Sequence, residues 1–450
     1  MAATYEGYCP SAHHRLTVQG SWWLLCGAFF FYIFAPRFDL GLPIHTGMAA
    51  LLAMSLIGHP FLRELMSNLR FLRAASFLVA LSVYHILLAS AYGNDFEYFV
   101  SICIACVAYL AFGYLLARYL EVKVATDSEV VYLIVLLFVI TTFANAVIVI
   151  AEYVFPPFKA AVEALLQQDP GANIPYADHM FRMRGLAAAG GAGLSLAHSV
   201  AVWGCVVLWK RGLVGTGLAV LIVCTLEASN IFTGRTGLLI GMVFVLMFFA
   251  LLMKSVVVSR RISLRAIVGV TIAIAGIAFA ARHVTLSDEV ISWAFEWALG
   301  FLDDAPAEVS TASTDDLKSM LFMPDQLGHL VLGIGFFEGM GALYPRTDSG
   351  YLKTLLSVGA PLGILLYTWI GYSLLKLRRF AAGALFFLFP VLAALAVAEI
   401  KEPFIYQNAL GRFLMTLVGA SIALSSRPER LSITGPERGR SHESLGTIAP

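Results

Sequence analysis

The chain has 450 residues, of which 59% are hydrophobic and 13% are charged, and its formal net charge is +1. A typical soluble domain carries about twice that share of charged residues, so the composition excludes an ordinary soluble globular protein. So small a net charge points to no class of partner, and no nucleic-acid partner is expected.

Apolar runs of about 20 residues recur along the sequence, and each is long enough to cross about 30 Å of hydrocarbon as a helix. The predicted class is therefore an all-α polytopic membrane protein, with about twelve transmembrane helices in one domain over residues 1–425. The predicted spans are 17–35, 43–58, 74–92, 98–117, 130–153, 187–209, 214–231, 236–253, 266–282, 350–374, 381–398 and 410–425. The polar tail, 426–450, is predicted to be disordered.

The positions of the basic residues predict how these spans are oriented. With the N-terminus in the cytoplasm, 19 of the 30 Lys and Arg residues fall in the short loops and the tail of one side. Because cytoplasmic loops carry the excess of Lys and Arg, both termini are expected in the cytoplasm. Two larger loops, about 154–186 and 283–349, then lie on the outer side, and the second contains "VISWAFEWALGFL", whose aromatic spacing predicts a helix lying on the membrane surface.

Four polar clusters lie at the predicted outer ends of spans, against this charge bias. They are "FRMRGLAAAGGAGLS", "SNIFTGRTGLL", "YPRTDSGYLK" and "AEIKEPFIYQNALGR". Their candidate site residues, in chain order, are Arg182, Arg184, Gly193, Arg235, Arg346, Asp348, Tyr351, Lys353, Glu399, Lys401, Glu402 and Arg412.

These residue types predict an anion site that also handles hydroxyl groups. A guanidinium can bind a phosphate through two parallel hydrogen bonds, and a carboxylate nearby can orient the guanidinium or act as a base. The alternative for any single cluster is a solvated loop charge or an ion pair that fixes a helix end. Four clusters on one side favour the functional interpretation. The sequence has no HExxH, Asp-x-Asp or Walker-type motif, so no metal or nucleotide cofactor is expected.

In two of these clusters, and in a glycine-containing segment shortly before them, the sequence resembles the Wzy-type O-antigen and capsule polymerases. The resemblance rests on "GIGFFEG", on "RTDSGYLKTLLSVG" at the start of a late span, and on "KEPF" before the last span, together with the two larger outer loops. The family also has an Arg separated by ten residues from a Gly, and Arg182 and Gly193 have that spacing. A second copy is missing, because Ser357 stands where a Gly would follow Arg346.

The resemblance implies a GT-C-like fold in the bacterial inner membrane and a metal-independent glycosyltransferase that joins undecaprenyl-diphosphate-linked repeat units at the periplasmic face. Membrane lipid is an implied partner, and a chain-length regulator and a flippase are further candidates. The catalytic candidates are Arg346, Asp348, Arg235 and Glu402, with the base expected to be Asp348, Glu402 or Glu399. The substrate-binding candidates are Arg182, Arg184, Gly193, Tyr351, Lys353, Glu399, Lys401 and Arg412.

Three alternatives stay open at this stage: a ligase, a flippase or transporter, and a membrane scaffold, which would not require a set of Arg residues on the outer side. An O-antigen ligase has the same fold but usually carries a His-containing motif close to the span that follows the late loop. Here His329 stands well before Gly350, which favours the polymerase. A flippase or transporter would also suit about twelve spans, but such proteins tend to be built from two similar halves, and no such similarity is visible.

Overall fold

Apolar helices dominate the chain in the computed structural model, which describes residues 20–39, 43–124, 126–167, 183–259, 320–338, 343–381 and 383–426. The helices of these residues are α1 (Gly20–Phe34), α2 (Thr46–Ile57), α3 (His59–Ser67), α4 (Leu69–Tyr92), α5 (Glu97–Glu121), α6 (Asp127–Val154), α7 (Pro156–Leu165), α8 (Ala192–Lys210), α9 (Thr216–Thr233), α10 (Arg235–Ser259), α11 (Leu327–Leu332), α12 (Gly350–Leu375), α13 (Ala384–Ala398) and α14 (Asn408–Ser425). A short antiparallel hairpin, β1 (Arg37–Asp39) and β2 (Pro43–His45), follows α1.

Eight of the described helices are long and apolar enough to cross a membrane, namely α4, α5, α6, α8, α9, α10, α12 and α14. Three shorter apolar helices, α1, α2 and α13, coincide with further predicted spans. The predicted class, an all-α polytopic membrane protein, is confirmed. The ninth predicted span (266–282), the predicted surface helix near residues 287–301 and the tail from residue 427 onward lie outside the described residues.

Local sequence signals explain where several helices begin. Thr126 caps α6 in a reciprocal arrangement: its hydroxyl accepts the amide hydrogen of Glu129, and the Glu129 carboxylate accepts that of Thr126. Such a capping box satisfies amides that would otherwise have no partner at a helix start. The Asn68 side chain caps α4 by accepting the amide hydrogens of Arg70 and Phe71. As a result α4 begins at Leu69, five residues before the predicted span.

The centre of the bundle is formed by α8 and α14. In their most apolar stretches, 89% of the residues of α8 and 78% of those of α14 are buried inside the protein, against 33% in α4 and α10. Trp203 of α8 is fully buried and donates its indole hydrogen to the Phe386 carbonyl at 3.0 Å. The outer helices expose apolar side chains instead, as expected for surfaces that face lipid tails.

Helix α12 is broken near its middle, which the span prediction missed. Gly359 has φ 79° and ψ 164°, a conformation that residues with a side chain rarely adopt, and Pro361 follows two residues later. The "GIGFF" segment packs into the break, where the amides of Ile334 and Phe336 donate to the Leu356 carbonyl at 2.8 and 3.3 Å. The break therefore frees a carbonyl inside the bundle, and the loop before α12 satisfies it.

Candidate functional site

The four polar clusters come together at one end of the bundle, the site face, where α8, α10, α12 and α14 begin and α1, α9 and α13 end. The Gly350 amide at the start of α12 donates to the Glu399 carbonyl at 2.9 Å, just after α13. The Lys401 ammonium lies 3.4 Å from the Thr236 hydroxyl in the first turn of α10. Segments far apart in sequence thus form one surface.

Three charged residues in and just before the first turn of α12 form the α12 charge group, Arg346, Asp348 and Lys353. The Asp348 carboxylate lies 3.7 Å from Arg346 Nε and 4.0 Å from Lys353 Nζ. Both distances are longer than the roughly 2.8 Å of a charge-assisted hydrogen bond, so neither cation is tightly engaged by the carboxylate. The Arg346 side chain is 67% exposed, and its guanidinium is therefore open to an anionic ligand.

The backbone around this group is held firmly, although Arg346 and Asp348 are open to solvent. Thr347 and Ser349 are 2% and 1% exposed, and the Thr347 hydroxyl accepts the Ser349 amide hydrogen at 3.2 Å. Buried and more exposed side chains alternate here, so Arg346 and Asp348 project from an anchored loop segment. Lys353, one turn into α12, lies with its ammonium 5.7 Å from the centre of the Phe337 ring, a cation–π distance.

Glu399 is fully buried directly beneath this group. Its carboxylate accepts hydrogen bonds from the Phe404 amide at 2.8 Å, the Ile405 amide at 3.1 Å and the Tyr367 hydroxyl at 2.8 Å. Burial raises the pKa of Glu399 to about 7, against the lowering effect of these three donors. Gly350 lies so close that a Cβ there would be 2.6 Å from the carboxylate.

A cluster of hydroxyl groups extends the Glu399 contacts into α12. The Thr354 hydroxyl is hydrogen bonded to the hydroxyls of Tyr367, at 2.9 Å, and of Tyr406. Tyr351, which is half exposed at the surface, donates to the Ala396 carbonyl at 2.8 Å and has its ring 5.5 Å from that of Tyr367. Thr354 and Tyr367 were not predicted, because in an unbroken helix residues 13 apart lie roughly 220° apart around the axis. The break at Gly359 changes that relation and allows the two hydroxyls to meet.

Lys401, Glu402 and Arg235 form the neighbouring part of the site face. All three are half-buried. Arg235 is the first residue of α10, and Lys401 reaches the first turn of that helix through Thr236. Two of the predicted clusters, from "SNIFTGRTGLL" and "AEIKEPF", are thereby adjacent.

Arg412 and Gly193 lie at a separate, small pocket of the site face. The pocket has about 40 Å³ of space and is lined by Phe34, Gly193, Asn408 and Arg412 among others. Arg412 donates to the Ile33 carbonyl at 2.6 Å and to the Tyr109 hydroxyl at 3.2 Å. Its guanidinium thus ties α14 to α1 and α5.

Arg184 is placed very differently from the other predicted cations. Its side chain is 1% exposed, and its guanidinium binds both oxygens of Glu163 in α7, whose side chain is 2% exposed. It also donates to the carbonyl of Ala188 at 3.2 Å. The structure therefore gives Arg184 an internal partner and places it away from the surface. Arg182, which was predicted beside it, lies outside the described residues.

The partners of this segment were missed from the sequence. Glu152, at the end of α6, accepts the Gly185 amide hydrogen at 3.1 Å, and Asn145 accepts that of Leu186 at 3.0 Å. Their burial, like that of Glu163, leaves no mark in the sequence, because an acidic residue near a span end looks the same whether it is solvated or buried. These contacts hold the segment before α8 in a non-helical conformation, and α8 begins at Ala192 and not at the predicted residue 187.

His329 lies in an aromatic pocket. It is 6% exposed, its Nδ1 is 2.8 Å from the Tyr344 hydroxyl, and its ring meets those of Tyr92 and Tyr344 edge-on. In the described part of the chain, no group of three His, Cys, Asp or Glu residues is arranged to hold a metal ion.

The sequence matches no protein-family model, and no curated protein or solved structure is significantly similar to it.

Proposed function

We propose that this protein is a metal-independent glycosyltransferase that polymerises undecaprenyl-diphosphate-linked oligosaccharide repeat units into O-antigen, capsule or exopolysaccharide. In this proposal the fold is GT-C-like with about twelve spans, the site face is periplasmic, and both termini are cytoplasmic at the bacterial inner membrane. The observation that carries the proposal is the α12 charge group, an exposed guanidinium and a carboxylate at the start of a membrane helix.

The proposed reaction needs fixed charges at the level of the lipid headgroups. A hydroxyl of one lipid-linked unit attacks the anomeric carbon of another, a new glycosidic bond forms, and the bond from that carbon to the diphosphate breaks. The bonding electron pair leaves with the diphosphate, whose negative charge grows in the transition state. Fixed cations beside the headgroup, Arg346 first and Lys353 next to it, stabilise that charge. A diphosphate leaves without protonation, so no acid is needed.

The hydroxyl proton needs an acceptor, and Asp348 is the best placed carboxylate. It is 37% exposed and lies between the two cations, so it can reach a sugar hydroxyl at the surface and release the proton to water. Lys401, Arg235 and Glu402 form the adjoining surface, where the second headgroup would lie. Tyr351 offers a ring for a sugar, and the pocket at Gly193 and Arg412 borders the same face.

A ligase is the closest alternative, since it would use the same donor lipid and a different acceptor. The position of His329 favours the polymerase, because a ring buried between two tyrosines is not open to an acceptor at the site face. A flippase would need charges along a path through the membrane, whereas the α12 charge group lies at one end of the bundle.

The test is complementation of a gene deletion in the protein's own host, with surface polysaccharide and lipid-linked intermediates separated on gels. We expect the deletion to lose long chains while single repeats are still exported, and wild-type protein to restore them. Arg346→Ala and Asp348→Ala should each lower polymer formation about 100-fold or more. Arg379→Ala, an exposed Arg that follows the opposite end of α12, is the matched control and should restore fully.

The other outcomes each contradict the proposal in a recognisable way. Long chains that stay on their lipid carrier would indicate a ligase, and single repeats retained on the cytoplasmic side would indicate a flippase. Full polymer length with both Arg346→Ala and Asp348→Ala would show that the α12 charge group is not the site.

A further inference from the structure

Two of the segments that form the proposed site carry most of its charged residues and must be held at a fixed spacing. The α12 charge group lies at the start of α12, and Lys401 and Glu402 follow α13. Misplacement of a catalytic group by about 1 Å can cost about 100-fold in rate. The Glu399 side chain lies between the two segments and can fix that spacing.

Glu399 makes that connection with both of its carboxylate oxygens. One oxygen accepts the amide hydrogens of Phe404 and Ile405, which closes the turn that carries Lys401 and Glu402. The other accepts the hydroxyl hydrogen of Tyr367 in the second half of α12. A single side chain thus joins the turn after α13 to the far side of the break in α12.

The main chain of Glu399 adds a link to the first half of α12. Its carbonyl accepts the Gly350 amide hydrogen at 2.9 Å, two residues after Asp348. Any side chain larger than hydrogen at position 350 would meet the carboxylate or Pro403, with a Cβ 2.6 and 2.7 Å away. Gly350 therefore allows the start of α12 to rest directly on Glu399.

The hydroxyl cluster makes this arrangement rigid on its other side. Tyr367 reaches Thr354 at 2.9 Å and the Gly350 carbonyl at 3.3 Å, and Thr354 is also hydrogen bonded to Tyr406. Glu399, with no exposed surface, faces these groups and the turn amides and not the surface where substrate would bind. Its geometry suits neither the base nor the substrate contact expected from the sequence.

We propose that Glu399 is a positioning residue that fixes the spacing between the α12 charge group and the Lys401–Glu402 turn. This inference rests on the proposed function for the reaction it serves. What Glu399 must supply is two hydrogen-bonding positions at the right reach, an acceptor for the turn amides and a partner for the Tyr367 hydroxyl, and not a charge or a proton. Its action on substrate passes through Asp348, Arg346 and the turn.

The proposal predicts an order of activity among three substitutions. Glu399→Gln keeps the length and an acceptor oxygen for the turn amides, and its amide can donate to the Tyr367 hydroxyl, so polymer formation should stay within about threefold of wild type. Glu399→Asp is one methylene too short to reach both partners, and Glu399→Ala reaches neither. Both should lose about 100-fold in turnover, with the loss in kcat and little change in KM.

The experiment uses the purified full-length protein with a lipid-diphosphate-linked repeat unit, and hydrogen exchange at Phe404, Ile405 and Gly350. Glu399→Ala and Glu399→Asp should speed exchange at these amides, and Glu399→Gln should not. Glu64→Ala is the matched control, because Glu64 accepts from Arg118 and Tyr114 away from the site face. It should lower thermal stability without changing turnover per folded molecule.

Three results would overturn the inference. Loss of turnover in Glu399→Gln with normal exchange would mean that the carboxylate itself does chemistry. Unchanged exchange in Glu399→Ala would show that Glu399 does not hold the turn. Equal kcat in all three variants would remove its role in the reaction. Absence of polymerisation by wild-type protein would instead contradict the proposed function, and the exchange results would still decide whether Glu399 holds the two segments.

Discussion

Two groups of charges near the site face look alike in sequence and differ completely in structure. Arg184 comes just before the small-residue start of α8, and Arg346 comes just before the start of α12. Arg184 is buried against Glu163, with side chains 1% and 2% exposed. Arg346 is 67% exposed, 3.7 Å from Asp348. A charge at a span end therefore becomes a candidate for ligand binding only when no buried partner already neutralises it.

Breaking the buried pair should produce the largest effect on stability. Arg184→Ala leaves the Glu163 carboxylate buried without its partner, which costs about 3–5 kcal/mol. We expect a much lower melting temperature and a lower yield of folded protein in detergent or lipid. Replacing both residues by leucine should recover part of the loss, because it removes both charges together. An Arg184→Ala protein that is stable but has lost turnover would show that Arg184 takes part in the reaction.

The sequence predicted the class of the protein and most span ends, and for clear reasons. Apolar runs and the charge pattern are local signals, so α12 was expected to start at residue 350, where it does start. The Gly359 break was not predicted, because Gly and Pro are common in membrane helices and only the docking of "GIGFF" against Leu356 shows why the helix stops there.

The candidate site was predicted as a set of clusters, and their arrangement was not. Sequence order does not reveal that the Lys401 turn reaches the start of α10, or that Glu399 supports Gly350. Exposure decides between Arg184 and Arg346, and exposure depends on partners such as Glu163 that lie 21 residues away in the chain. Long-range pairing of this kind has no local sequence signal.

Glu399 is as buried as Arg184, and the pKa of its carboxyl group gives a test with an effect of intermediate size. Burial raises the pKa of Glu399 to about 7 from the usual 4.5. The folded protein therefore holds a proton there more strongly than the unfolded chain does. The contribution of Glu399 to the free energy of unfolding is fully present below pH 4.5. It falls as the pH rises to about 7 and is constant above that pH. The whole change is of the order of 3 kcal/mol.

Melting curves between pH 4.5 and 8 for wild type and Glu399→Gln would measure this contribution. The Gln variant should show a flatter pH dependence and a relative gain in stability at pH 8. The titratable neighbours are Tyr351, Tyr367, Tyr406 and Glu402, so Glu402→Gln is the control and should retain the wild-type slope. Identical slopes for wild type and Glu399→Gln would show that Glu399 stays ionised throughout.

Removing the exposed Arg346 side chain should have the smallest effect on stability. Arg346 is mostly solvated and makes only a long ion pair with Asp348, and such surface pairs contribute about 0–1 kcal/mol. Arg346→Ala should therefore melt within a few degrees of wild type, while the same substitution is expected to abolish polymer formation. A residue whose loss costs function but not stability is held for its ligand, because a cation without a buried partner does little for the fold. A large drop in melting temperature for Arg346→Ala would make it a structural residue like Arg184 and remove the contrast between the two groups.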